Sequence, residues 1–191
     1  MALFAGREIL SRQERRLKGW WGYGIGSATM LLAGMVVTVL ALNGPLRPEP
    51  WYDPRYAIPL FGMILGNAMT GISLGLDGLT SLVGRERAAI EAQLTLGATR
   101  WRALRPIAQR ALRTGFTPML NSMAAAGVVF LPGMMTGQIL SGVAPEQAVK
   151  YQILVLFLIA GASGLGVLTA VLASIWRLTD DRHRLRLDRL A

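Results

Sequence analysis

Several residue types that build soluble enzymes are scarce or missing in this 191-residue chain. It has no cysteine, one histidine (His183) and two lysines, Lys18 and Lys150. Without cysteine it forms neither a disulfide framework nor a thiolate metal site. Neither lysine follows a glycine, which excludes the G-x-x-x-x-G-K-[ST] loop that binds nucleotide phosphates. The chain is therefore predicted not to be an enzyme, and any use of ATP would depend on another protein.

Charged residues are also scarce, at 16% of the chain against 52% hydrophobic residues, whereas soluble domains average about 25% charged. A hydrocarbon core about 30 Å thick needs roughly 20 apolar residues in a helix. Four windows meet that length, near 21–42, 58–79, 112–131 and 152–176, and the first and last contain no Asp, Glu, Lys or Arg. The composition predicts an all-α integral membrane protein with about four transmembrane helices in a single domain over residues 1–191.

The basic residues fall in alternate segments of the chain. Residues 1–20 hold five, residues 80–113 hold seven and residues 177–191 hold five, whereas 43–57 and 132–151 together hold three. Because basic residues concentrate in cytoplasmic loops, both termini and the 80–113 segment are predicted to be cytosolic. The net charge of +9 then reflects topology, and a nucleic-acid partner is not predicted. Residues 1–16 read as the end of an earlier membrane helix, so we expect further spans upstream.

The two middle windows carry glycines and polar residues. Glycines four apart, Gly62 with Gly66 and Gly71 with Gly75, let helix backbones approach closely, and Pro59 suits the first turn of the second span. Gly133 with Gly137 repeats the spacing beyond Pro132, and Pro145 marks the start of the last helix. The polar or soft side chains of these segments form the hypothesis for a translocation path: Asn67, Thr70, Asn121, Met134, Met135 and Gln138.

The methionines and Asp77 leave alternatives open. Thioethers select soft cations, but methionine also fills gaps in packed cores, and no cysteine or embedded histidine accompanies them. Asp77, near the cytosolic end of the second window, reads either as an interfacial residue or as part of an ion relay. The residues therefore leave the identity of any metal ligands unknown.

The segment from about residue 85 to 106 lies between two predicted spans and yet is rich in charge. Residues 85–96, "RERAAIEAQLTL", favour a helix that Gly97 ends. Thr99 can cap a short second helix, "RWRAL", after which the third span begins at Pro106 or shortly beyond it. The segment is thus predicted to form a helix, a sharp turn and a short helix beneath the bilayer. The short helix presents Trp101 between arginines. Such a surface fits a protein partner or anionic lipid headgroups.

Two sets of residues make the chain similar to a known family. Glu91-Ala92, then Gly97 and Ile107, resemble the coupling-loop signature of ABC importer permeases, although Gln93 replaces its second alanine and Gln109-Arg110 stand where Leu-Pro would follow. The block 131–140, "LPGMMTGQIL", together with "IPLFGMILGNAMTGISLGLD", resembles the Fet-type family of iron-export ABC transporter permeases.

This resemblance implies a permease subunit of the inner membrane, acting as a homodimer and exporting iron or a related metal or metal complex. It implies a separate cytosolic ATPase that uses the ATP, while this chain binds no cofactor. The residues it assigns to ATPase coupling are Glu91, Ala92, Gly97, Thr99, Trp101 and Arg105.

The residues alone leave two other functions open. One is an ATP-independent secondary carrier or channel, in which Asp77 titrates and a broken third span forms the site. The other is a membrane scaffold whose polar residues only hold helices together. Hard iron prefers carboxylate oxygen, and the predicted spans offer only Asp77, so the residues do not by themselves indicate iron.

Overall fold

The computed structural model describes residues 20–46, 54–127, 129, 132–180 and 184–190. These residues are almost all helical and include no β-strand; Thr179 and Leu185 form only an isolated bridge. A π-helical turn, Leu42–Leu46, follows the first α-helix, and a short 3-10 turn, Leu187–Arg189, lies near the C-terminal end of the described residues. The all-α prediction is confirmed. The α-helices are α1 (Trp20–Ala41), α2 (Pro54–Arg85), α3 (Arg87–Thr95), α4 (Arg100–Ala125), α5 (Gly133–Leu140) and α6 (Pro145–Leu178).

Three helices in the described part of the chain are long and apolar enough to cross a membrane. They are Trp21–Gly44, Ala57–Arg85 and Pro145–Leu178, which match the predicted windows 21–42, 58–79 and 152–176. The last of them begins at Pro145, as predicted, because proline is favoured in the first turn of a helix. The chain is thus built as a multi-pass membrane protein.

The fourth window, 112–131, differs from these three. Helix α4 covers its residues 112–125, which at 1.5 Å per residue measure about 21 Å, less than the roughly 30 Å of a hydrocarbon core. Arg110 and Arg113, both exposed, lie at the N-terminal side of that stretch. Residues 128, 130 and 131 lie outside the described residues, so a fourth span stays a prediction.

Two proline predictions are wrong. No new helix begins at Pro106 after a separate short one, because α4 runs without a break from Arg100 to Ala125. An interior proline costs about 3 kcal/mol, but Ala103, Leu104 and Ile107 are buried on both sides of it, and this packing offsets the cost. Pro59 likewise lies inside α2, which begins five residues earlier at Pro54.

Helix α2 is the centre of the bundle and packs against α1, α4 and α6. A cluster of buried apolar side chains extends along it from Leu65 to Val83 and includes Leu104 of α4 and Ile175 of α6. Where lipid surrounds the helices, such contacts stabilise by close packing rather than by removing apolar surface from water. The bundle therefore depends on how closely its backbones approach.

The closest approach joins α2, α4 and α6 at glycines. A Cβ atom built on Gly115 would lie 2.6 Å from Cγ1 of Val167 and 2.9 Å from the carbonyl oxygen of Gly71. The prediction that Gly71 and Gly75 allow close packing is thus confirmed. Gly62 and Gly66 have no such neighbour within 4 Å in the described chain, so for this pair the prediction is not matched by any contact inside the bundle.

Candidate functional site: an exposed turn and a polar cavity

The turn between α3 and α4 is built as its residues predict. Gly97 adopts a φ of +86°, a left-handed conformation that side chains other than glycine disfavour. Its N–H donates to the carbonyl of Leu94 at 3.1 Å, which satisfies a carbonyl at the end of α3. Thr99 caps α4, since its hydroxyl accepts a hydrogen bond from the N–H of Arg102 at 3.4 Å. Both local predictions are confirmed.

Apolar side chains anchor this turn to the bundle. Ile90 of α3 is 2% exposed and belongs to the same buried cluster as Leu104 and Ile107 of α4. Leu94, one turn further along α3, packs against that cluster. A force applied to the turn is therefore transmitted to the helices rather than absorbed by a loose loop.

An open cleft of about 470 Å³ lies where α3 meets α4. Leu96 at its edge is a large apolar side chain and is 87% exposed. Trp101 is 45% exposed on the adjoining face of α4, and Arg105, one helical turn on, is exposed with it. The residues lining the cleft are Gln93, Leu96, Gly97, Ala98, Arg102 and Pro106.

Of the residues assigned to coupling, only Gly97 lines this cleft. Glu91 pairs with Arg87 on its own helix at 2.8 Å, and Ala92 is exposed. Leu96 and Arg102 were not among the predicted site residues. Helical spacing could have indicated Leu96, because it falls two places after the inward-facing Leu94 and so points away from the core.

A bidentate ion pair joins the start of this segment to α4. Glu86, the single residue between α2 and α3, accepts hydrogen bonds from both terminal nitrogens of Arg110 at 2.6 and 2.7 Å. These hydrogen bonds hold the pKa of the Glu86 carboxyl below its ordinary value and raise the pKa of Arg110. Because the Glu86 pKa is lowered by folding, the pair contributes stability at neutral pH that is lost as the pH falls through the folded-state value.

We predict that Glu86→Gln loosens α3, because Arg110 loses a charged, bidentate acceptor. At pH 7, backbone amide hydrogens of Ile90 and Leu94 should exchange several-fold faster than in the wild type. The difference should disappear at a pH below the folded-state pKa of Glu86. Glu91→Gln is the control, because its pair with Arg87 lies within one exposed helix and contributes little. Equal exchange in Glu86→Gln and wild type at pH 7 would contradict the prediction.

A second feature is a partly open cavity of about 170 Å³ between α2, α4 and α6. Asn67 and Thr70 lie near the middle of the span Ala57–Arg85, and Ser163 lies near the middle of Pro145–Leu178. The cavity therefore lies at about mid-depth of two candidate spans, where polar groups are costly and are commonly functional. Its lining residues are Asn67, Thr70, Gly71, Gly115, Pro118, Met119, Ser122 and Ser163.

The structure brings together only part of the predicted path. Asn67 and Thr70 line the cavity, whereas Asn121 is exposed outside it. Met134 of α5 packs against a buried apolar cluster around Ile64, as a core methionine does.

The other predicted path residues, Met135 and Gln138, are half-buried on α5 and do not line the cavity. Ser122 and Ser163 do line it and were not predicted, because serine is common in membrane helices. Within the described residues, no three His, Cys, Asp or Glu side chains come close enough to hold a metal ion.

Helix α4 connects the two features. Arg102 and Pro106 line the open cleft at the turn, and Pro118, Met119 and Ser122 line the cavity. The 20 residues from Arg102 to Ser122 measure about 30 Å along one helix. Because α4 is one continuous helix, a displacement of the turn would also move the α4 residues that line the cavity.

Comparison with known proteins shows which family this chain matches and which proteins are similar to it. The family described as "Uncharacterised protein family (UPF0014)" matches residues 1–178. The chain is 36% identical to a UPF0014 membrane protein of Synechocystis over 96% of this chain and 69% of the relative. It is 35% identical to the "Probable iron export permease protein FetB" of Escherichia coli K12 over 80% of this chain and 58% of the relative.

A plant relative, the "UPF0014 membrane protein STAR2" of rice, is 39% identical over 72% of this chain and 47% of its own length. The chain thus spans about half to two thirds of the length of these three relatives. No solved structure shows a significant match. The extent of the family match, together with the similarity to FetB, confirms the resemblance predicted from the residues: this chain belongs to the UPF0014 family of membrane proteins.

Proposed function

We propose that this chain is a permease subunit of an ATP-binding cassette transporter. One observation carries the proposal: a single helix, α4, begins at an exposed turn and extends to a polar cavity at about mid-depth of two candidate spans. A channel or scaffold has no need of a rigid connection from a docking surface to a cavity. The similarity to a probable iron export permease supports the same function.

The partner is a cytosolic ATPase subunit that docks on the turn between α3 and α4. Leu96 and Trp101 offer exposed apolar surface, and Arg102 and Arg105 add positive charge around it. Tryptophan and arginine are enriched among the residues that dominate binding energy at protein interfaces. The partner hydrolyses ATP, and this chain binds no nucleotide or other cofactor.

In this proposal the chain crosses the inner membrane four times and places both termini and the α3–α4 turn in the cytosol. The fourth crossing uses the C-terminal half of α4 together with the residues that follow it to 131. Two copies form the transporter, and lipid covers their outer faces. The cargo is iron or a related metal or metal complex, and it moves outward.

The docking proposal predicts a specific crosslink. A photoreactive residue placed at Leu96 or Trp101 should capture the ATPase subunit in membranes that contain both proteins. Phe157, 64% exposed on α6, is the matched control and should capture lipid only. Capture of lipid alone at all three positions would refute the proposal.

An ATP-independent carrier would give a different result in transport. Metal export by the complete protein should stop when the ATPase subunit is removed or its catalytic site is inactivated. Export that continues at the wild-type rate without ATPase would favour the carrier.

A further inference from the structure

The groups that face the intramembrane cavity are neutral, and most of their hydrogen-bond donors are already used. Asn67 donates from Nδ2 to the carbonyl of Met63 at 2.9 Å, and Ser122 donates to the carbonyl of Pro118 at 2.9 Å. Thr70 donates to Gly66 at 3.4 Å. What these side chains keep for a ligand is mainly acceptor capacity: the Asn67 carbonyl oxygen and the lone pairs of the hydroxyls.

Ser163 adds an independent sign of a ligand. Its side chain is 2% exposed and lines the cavity, and its Oγ has no hydrogen-bond partner. Some helical hydroxyls, such as those of Thr70 and Ser122, bond to a carbonyl of the preceding turn. Those of Ser27, Thr38 and Ser174 are buried without a partner, as Ser163 is, but they do not line the cavity. A buried hydroxyl left without a partner is costly, so its position in a polar cavity indicates a bound molecule.

The charge of the lining limits what that molecule can be. None of the eight described residues that line the cavity is acidic or basic. Asp77, on the same helix as Asn67, is ten residues away, about 15 Å. An ion that leaves water for a low-dielectric site without a counter-charge pays a large desolvation cost, so a bare multivalent cation is disfavoured there.

We infer that this cavity binds a small electroneutral ligand that presents O–H or N–H groups. For a metal cargo, this means an ion whose charge is already cancelled by its own donor-bearing ligands, rather than a bare or hydrated cation. Asn67, Ser122 and Ser163 accept hydrogen bonds from those ligands. That the ligand is transported cargo rests on the proposed function, whereas its binding does not.

The test measures equilibrium binding to the complete transporter in detergent without nucleotide. The two probes are ferrous ion alone and tris(acetohydroxamato)iron(III), an electroneutral complex with three N–H groups. We expect the wild type to bind the complex at least about tenfold more tightly than ferrous ion. Equal or tighter binding of ferrous ion, weakened by Ser163→Ala, would overturn the inference.

Substitutions locate the binding in this cavity. Ser163→Ala should weaken binding of the complex about fivefold, as expected for one lost hydrogen bond. Ser174→Ala is the matched control, because Ser174 is also buried and unpartnered on α6 but does not line the cavity; its affinity should equal the wild-type value. Equal effects of the two substitutions would overturn the inference.

A gain of binding tests the charge argument directly. Asn67→Asp keeps the shape of the side chain and places a carboxylate at the exposed edge of the cavity, so ferrous ion should bind about tenfold more tightly than to the wild type. An unchanged ferrous affinity would count against the inference. These binding measurements need no ATP, so they remain valid even if a photoreactive residue at Trp101 does not capture an ATPase subunit. That result would refute the ATP-driven function but not the binding of a ligand in the cavity.

Discussion

Gly115→Val is expected to destabilise the folded helix bundle of this protein markedly. The first added carbon would already lie 2.6 Å from Cγ1 of Val167 and 2.9 Å from the carbonyl oxygen of Gly71. Because one of these neighbours is backbone, the contact is relieved only if α2 and α4 separate. Overpacking in a well-packed core costs about 1–3 kcal/mol, occasionally more, and total stability is commonly about 5–15 kcal/mol. Valine adds two further methyl groups to the clash.

The measurement is the fraction of protein that remains monodisperse after detergent extraction and heating. Gly161→Val is the matched control, because Gly161 lies in the middle of α6 with no atom within 4 Å of a built Cβ. Gly115→Ala combined with Val167→Ala should recover part of the stability, since it removes the Val167 contacts but leaves the Gly71 carbonyl in place. Wild-type behaviour of Gly115→Val would show that α2 and α4 do not pack through this glycine.

Gly97→Val is expected to abolish stimulation of ATPase activity by cargo while leaving membrane insertion intact. Valine at a φ of +86° is strained by about 1–3 kcal/mol, and about 1.4 kcal/mol changes a population tenfold. The turn between α3 and α4 would then be populated in its present form roughly tenfold less. The partner ATPase would meet a cleft of altered shape, with Leu96 and Arg102 displaced.

The measurement is the ATPase rate of the complete transporter with and without cargo, together with the amount of protein in the membrane. Gly142→Val controls for backbone strain as such, because Gly142 has a φ of +90° but lies at the end of α5, away from α3 and α4. It should retain coupling. Normal stimulation in Gly97→Val would refute the assignment of this turn to coupling.

Local features of this fold could be predicted from the residues, because their causes are local. The left-handed Gly97, the Thr99 cap and the start of α6 at Pro145 each depend on residues within one helical turn. The three most apolar spans follow from composition over about 20 residues. The family resemblance could also be stated from the sequence, because the motifs that carry it are short and contiguous.

The features that sequence reasoning missed depend on contacts between distant residues. The Glu86–Arg110 pair joins residues 24 places apart, and nothing in either neighbourhood indicates the other. The continuity of α4 through Pro106 depends on burial of Leu104 and Ile107 against other helices. This burial outweighs the tendency of proline to break a helix. The cavity likewise exists only where Asn67, Ser122 and Ser163 meet from three helices.

The glycine contact also has a mechanical consequence. Gly115 lies about 22 Å along α4 from its first residue, Arg100, but only about 10 Å from Ser122. If α4 rotates as a rigid rod about that contact as its fulcrum, the arm toward Arg100 is about twice the length of the arm toward Ser122. A wide swing at Arg100 then becomes a movement of half that amplitude and opposite direction at Ser122, with about twice the force.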